Sequence, residues 1–233
     1  MMNDNFFGRL ADLIVKPVRL MENVGARPSW WQPGLLIMIL TVGFTYLTTP
    51  IAKPESVEMM RDSKIMEMAP EGTWQKAYDD ALNVSQTQIM VESGFTGFGT
   101  WLAVIVFSLI LGFFAKMSGG TATMKQALGV GSWAAVIPFG LGLVIKLPLI
   151  LVTESVFEVN LGLAALLPDA DPSSAIYKVL ANYGDLMTWW GLIVMIVGYM
   201  VVGKMSKNAA SVSVILPWAL LAAPLVIFAI IFA

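Results

Sequence analysis

The sequence has no cysteine and no histidine. Their absence excludes disulfides, thiolate catalysis, Cys/His zinc sites and haem ligation by either residue. It also removes the side chain that most often serves as general base near neutral pH. Charge is scarce too. Only 13% of the 233 residues are charged, against 57% hydrophobic. A soluble domain carries about 25% charged residues. This chain lacks the polar surface to cover a globule in water, so its solvent must be lipid.

What is present is a series of long apolar runs. The central one is a hairpin, Gly94 to Val152: an apolar span, the loop Ser118-Gly119-Gly120-Thr121, and a second span interrupted by Pro138. The remainder reads as support for that hairpin or as a partial copy of it. The fold class expected is all-α, a polytopic membrane bundle of five transmembrane helices. The spans fall at about 32–51, 95–116, 127–152, 186–205 and 211–233, each long enough to cross roughly 30 Å of hydrocarbon.

Residues 1–30 form a separate segment. Phe6, Phe7, Leu10, Leu13, Ile14 and Val18 recur near helical spacing, with Arg9, Lys16 and Arg19 between them. Such a helix is expected in the headgroup region, the alternative being a helix packed beneath the bundle. Pro17 is expected to kink or end it. The bases spread among acids, with a first long apolar run only near Pro33, do not form a cleavable signal peptide. Trp30 and Trp31 fit an interfacial anchor before span 1, and Lys53-Pro54 is expected to end that span. Residues 53–93 read as an external helical hairpin, with Trp74, Tyr78, Ala81, Ser85 and Ile89 on one helix face. Thr153 to Asp185 reads as an acidic loop.

Orientation follows from the bases. Arg9, Lys16, Arg19, Arg27, Lys116, Lys125, Lys204 and Lys207 lie in the amino-terminal segment and around the two short loops, beside three acids. The two long loops carry five bases and thirteen acids. Positive charge marks the cytoplasmic side. The amino terminus is therefore expected in the cytoplasm and, after five spans, the carboxyl terminus outside.

The chain also echoes itself. Shifted by 88 residues, Thr100-Trp101 falls on Thr188-Trp189 and Lys116-Met117-Ser118 on Lys204-Met205-Ser206, with Ile105 and Val106 on Ile193 and Val194. Two parallel hairpins related by an axis along the membrane normal would produce this. A shared taste of span ends for Lys and Trp would as well.

The run Gly119-Gly120-Thr121-Ala122-Thr123-Met124-Lys125-Gln126-Ala127-Leu128, then Gly131-Ser132-Trp133 and Ile137-Pro138, resembles the bacterial branch of the Yip1 family. Lys16-Pro17 and the Trp/Pro-rich approach to span 1 fit the same pattern. The resemblance implies five spans with the amino terminus inside and a bacterial cytoplasmic (inner) membrane. Eukaryotic relatives associate with Rab-type GTPases and with each other, but this chain has almost no cytoplasmic domain to receive one. Fold and topology carry over, not activity.

The residues read as candidate lipid or solute contacts are Lys116, Gly119, Gly120, Lys125, Ser132, Pro138 and Lys146. Gly119-Gly120 with Lys116 and Lys125 suits a lipid phosphate, although a tight turn also accounts for the glycines. The loop has no nucleotide fingerprint. Pro138, Pro217 and Pro224 free backbone carbonyls, which line cavities in transporters and kink inert bundles alike. Lys146 sits deep in an apolar run, facing either the interior or, by snorkelling, the outer headgroups. No catalytic constellation, cofactor or metal site is expected. Asp169-Ala170-Asp171 reads as ordinary solvated surface. The function expected is a non-enzymatic membrane protein organising lipids or partner membrane proteins, a homo-oligomer among them. The alternative is a small transporter, channel or lipid-translocating protein with a cavity between spans 3 and 5. Nucleic acid is not expected as a partner.

Overall fold

The computed structural model describes residues 5–61, 66, 68–167 and 174–231. Among them there is no β-strand, only one isolated bridge between Gly162 and Asp185. The helices, in chain order, are α1 Phe6–Val15, α2 Pro17–Ala26, α3 Trp31–Met59, α4 Thr73–Leu82 and α5 Gln86–Met117. There follow α6 Met124–Thr153, α7 Ala175–Tyr183, α8 Leu186–Val202 and α9 Lys207–Ile231. Three of them, α3, α5 and α6, are long and apolar enough to cross a membrane, and α8 is a shorter apolar helix.

The expected central hairpin is α5 and α6. Its first helix begins earlier than the apolar run, at a capping box in which Ser85 and Gln88 satisfy each other's backbone N–H groups. The second begins at an identical device, Thr123 with Gln126. The two helices touch where glycine removes a side chain. Gly112 faces Ala127, and Gly131 takes the Ser108 side chain against its bare backbone. From Ala127 to Val136 nearly every residue of α6 is buried, so this half of α6 is the axis of the bundle. The others gather on it: Val24 of α2 against Gly129, and Gly198 of α8 against Val130 and Met21.

The amino-terminal segment breaks in two at Lys16, as Pro17 requires, and Pro17 then starts α2. It does more than float in the headgroups. Leu13, Leu20, Met21 and Val24 are buried in the core, and Gln126 Nε2 donates to the Gly25 carbonyl at 2.9 Å. Buried Arg9 donates to the Arg27 carbonyl and to Ser29 Oγ. Phe7, Ile14, Val15 and Val18 remain exposed on the other side.

Span 1 begins where expected, at Trp31, and departs from expectation at its far end. Its first turn lies beside the middle of α5: Trp30 stacks on Trp101 at 6.2 Å, and the Trp101 indole fills the space over Gly34. Trp101 is about 24 Å along α5 from Met117, at 1.5 Å per residue. The height left below α3 is occupied by α1 and α2. At its far end α3 does not stop at Lys53-Pro54 but runs on to Met59, through Pro50 and Pro54. Partners outside the helix hold the extension. Lys53 Nζ meets Glu92 at 2.7 Å, and the Val57 carbonyl accepts from Trp74 Nε1 at 3.1 Å. Glu55 accepts from the Val156 and Phe157 N–H groups and from the Ser155 hydroxyl.

The single helix face expected from Trp74 to Ile89 is divided. Asn83 ends α4 with its side chain on the Asp79 carbonyl, and Ser85 opens α5. The Asp169-Ala170-Asp171 segment, Lys64 and the last two residues lie outside the described residues.

The two short loops meet. Thr121 N–H and Oγ1 both donate to the Gly203 carbonyl, at 3.0 and 3.2 Å. Their backbones are not copies: the left-handed residue is Gly119 (φ 85°) in the first loop and Lys204 (φ 53°) in the second, whereas a shift of 88 pairs Lys204 with Lys116.

Gly112→Ala would place a Cβ 2.7 Å from that of Ala127, whereas Gly99→Ala meets nothing within 4 Å. Overpacking of this kind costs about 1–3 kcal/mol. Thermal unfolding in mild detergent is expected to show a lowered midpoint for Gly112→Ala and none of that loss for Gly99→Ala.

Candidate functional site

The structure separates the seven sequence candidates into four places. Pro138 lines a cavity in the middle of the bundle. Lys146 stands at the far end of α6. Ser132 is fully buried in the core, its hydroxyl without a hydrogen-bond partner among the described residues. Lys116, Gly119, Gly120 and Lys125 stay together at the loop end.

The cavity arises from the proline. Pro138 has no N–H to give, and α6 widens into a π-turn over Ile137–Leu141, with Gly142 N–H reaching five residues back to the Ile137 carbonyl. Such turns recur at functional positions. Gly191 of α8 lets the Pro138 ring approach, since a Cβ there would sit 3.1 Å from Pro138 Cδ. Small residues keep the adjoining space open: Ala103 on α5, Gly131 and Ala135 on α6, Ala222 on α9. The result is a cavity of about 450 Å³ between α5, α6, α8 and α9, within the 300–1,000 Å³ usual for ligand pockets. Its walls are overwhelmingly apolar, with Phe107, Phe139, Leu192, Met195, Trp218 and Leu221 supplying most of the surface. The Ser108 hydroxyl is already used, donating to its own Val104 carbonyl at 2.6 Å. Two of its lining residues belong to an aromatic cluster, Trp218 lying edge-on to both Tyr183 and Trp189 at 6.2 and 5.2 Å.

Lys146 neither lines the cavity nor extends freely to the headgroups. Its ammonium meets Asp185 Oδ2 at 2.8 Å, with the lysine side chain 27% exposed and the aspartate 8%. Asp185 is the N-cap of α8, accepting from Thr188 N–H at 2.9 Å. Burial pushes its carboxyl up. The Lys146 hydrogen bond and charge, with the Thr188 and Met187 N–H groups, more than offset that and hold it below the ordinary carboxylate value. The pair clips α6 to the start of α8, and Leu163 and Leu186 N–H groups bond across the adjoining chain. Sequence reasoning missed Asp185 as the partner. Its signal was local, an acid three residues before Thr188 at the head of an apolar run.

At the loop end, the positive-φ turn expected of the glycines is found at Gly119 and not at Gly120. Gly119 is left-handed, and Gly120 lies against the Ala115 carbonyl and Met205, where a Cβ would be 2.8 Å from each. Thr121 and Thr123 serve the loop joint and the α6 cap rather than the cavity. Lys116 and Lys125 are exposed. Among the described residues no cluster of three or more acidic side chains is placed to hold a metal ion.

An all-helical bundle with membrane-length helices, wrapped on a buried half-helix and bearing a partly open apolar cavity, is an integral membrane protein. More specifically, the model of the Yip1 domain matches residues 11–228, from within α1 almost to the end of α9, and the chain belongs to the Yip1 family. No curated protein and no solved structure gives a significant match.

Stability should depend on the Asp185 clip. A carboxyl held below its unfolded value contributes fully above that value, about pH 3.9, and the contribution is lost as pH falls through the folded one. The thermal midpoint is expected to drop on acidification through that range, and Asp185→Asn to flatten the drop. Lys146→Ala, which strands the buried carboxylate, is expected to cost roughly 1–3 kcal/mol at neutral pH, read as a lower midpoint.

Proposed function

We propose that this chain is a non-catalytic protein of a bacterial cytoplasmic membrane that organises lipids, and with them partner membrane proteins, by accommodating apolar chains in its central cavity. It crosses the bilayer five times, with the amino terminus in the cytoplasm and the carboxyl terminus outside. The fourth crossing is α8, whose 17 residues rise about 26 Å between the Asp185 cap and Lys204. The fifth is α9, 25 residues long, which runs through Pro217 and Pro224 beside α5.

The apolar wall of the cavity carries this reading. A polar solute would need convergent hydrogen-bonding groups to replace its water. Here the two polar candidates of the sequence lie elsewhere, Lys146 in its ion pair and Ser132 in the core. A hydrocarbon chain needs only space and dispersion contacts, and the small residues around the π-turn provide the space. The same small residues suit close approach of a neighbouring membrane helix, which makes a second copy or another membrane protein the natural protein partner.

The test is native mass spectrometry of the protein released from mild detergent, compared with Ala103→Phe and Ala222→Phe. Both positions border the cavity. Retained phospholipid or fatty acid is expected to fall several-fold in the variants while the thermal midpoint holds. Equal retention in all three proteins, or retention of a polar solute that the variants lose, would overturn the reading.

A further inference from the structure

The loop end of the bundle carries a second feature, independent of the cavity. The loop after α5 and the loop after α8 are joined edge to edge through Thr121 and the Gly203 carbonyl. Around that joint stand Lys116, Lys125, Lys204 and Lys207, all exposed and none in an ion pair. Neither loop contains an acidic residue. On neighbouring α2, Glu22 is exposed, and Asp12 of α1 is held by Arg19 at 3.3 Å.

Two helices begin at this face. Thr123 lies two residues from Thr121 and Ser206 three from Gly203. At no more than about 3.6 Å per residue, the two N-caps stand within roughly 20 Å of each other. The capping hydroxyls accept from Gln126 N–H and Ala209 N–H, one backbone donor in each first turn. The preceding N–H groups of each first turn, at Met124, Lys125, Lys207 and Asn208, point out of the helix ends with the positive pole of the macrodipole.

Lys204 supplies a further sign. Its φ of 53° is a conformation glycine adopts without strain and lysine rarely does. Lys204 follows the end of α8, where glycine is the usual residue, so this turn carries an exposed ammonium where it could have carried none.

We propose that this face binds the phosphate-bearing headgroups of anionic phospholipids. The side chains beside the lysines choose lipid over a soluble acidic protein. Phe113 and Met117 at the end of α5, Met124 at the start of α6 and Val212 on α9 are exposed apolar groups that need hydrocarbon. They place the ammonium groups at headgroup level, where clusters of bases recognise acidic lipids. The proposal goes beyond the cavity reading and survives its failure, because it requires no chain inside the bundle.

The experiment uses the full-length protein in detergent, supplemented with phosphatidylglycerol or with phosphatidylcholine of the same acyl chains, and reads the thermal midpoint. Phosphatidylglycerol is expected to stabilise more, with a gap that narrows as salt screens the charges. Substituting all four lysines by alanine is expected to abolish the gap, each lysine accounting for about fivefold in apparent affinity; the four-arginine version keeps it. Lys204→Gly separates binding from folding. It relieves the backbone, so the midpoint in phosphatidylcholine rises while the gap shrinks. Equal stabilisation by the two lipids, or a gap that Lys204→Gly and the alanine variant both leave intact, would overturn the proposal. So would a salt-released acidic polypeptide held in phosphatidylcholine with no gap between lipids, which would assign the face to a protein.

Discussion

The first half of α6 is surrounded on every side, and the rest of the molecule depends on how closely its neighbours approach it. Lipid tails are as apolar as any leucine, so burial alone gives helices little reason to associate in a membrane. Contact area and backbone proximity must do it. Glycine at 112, 129, 131 and 198 brings α5, α2 and α8 to backbone distance of α6. Trp133, fully buried, fills what remains and reaches Ser29 with its indole N–H. Below this zone the loops can join and above it the cavity can open, because the tight zone fixes the angles of the helices between them.

The two ends of the bundle are built on different chemistry. At the far end from the short loops, three acids tie the long connections to the bundle: Glu55 through the backbone N–H groups after Ser155, Glu92 through Lys53, Asp185 through Lys146. At the loop end Lys116, Lys125, Lys204 and Lys207 are exposed and in none of the ion pairs found among the described residues. The far end uses charge to hold its own connections, and the loop end presents a cluster of lysines outward. The cavity lies between them, with the Ser108 hydroxyl turned back into its own helix.

Much of this was legible from composition and spacing, and the reasons the rest was not are physical. Apolar runs mark α5 and α6 well, because hydropathy is a local property; the cap at Ser85 was passed over because the apolar spacing of the α4 face continues through it. The run of α3 through two prolines was hidden, since its support comes from Trp74, Glu92 and Val156, far along the chain. A proline stops a helix by default and is overruled only by partners that no local window contains. The pairing of Lys146 with Asp185 spans 39 residues and was unreadable for the same reason. Pro138 was recognised as a break, but that it would widen into a π-turn rather than kink depended on Gly191 on another helix. The burial of α1 and α2 escaped because an amphipathic pattern tells that one face is apolar, not whether lipid or protein will cover it.

That last placement constrains how the protein is made. α2 precedes in the chain the surfaces it rests on at Gly129 of α6 and at Gly198 and Val202 of α8. The last of these follows α2 by well over a hundred and fifty residues. At 5–20 residues per second of synthesis, roughly ten to thirty-five seconds separate α2 from its last partner. The contacts of α2 with α8 are therefore among the latest the chain can make, and the amino-terminal helices join the core fully only when α8 has been made.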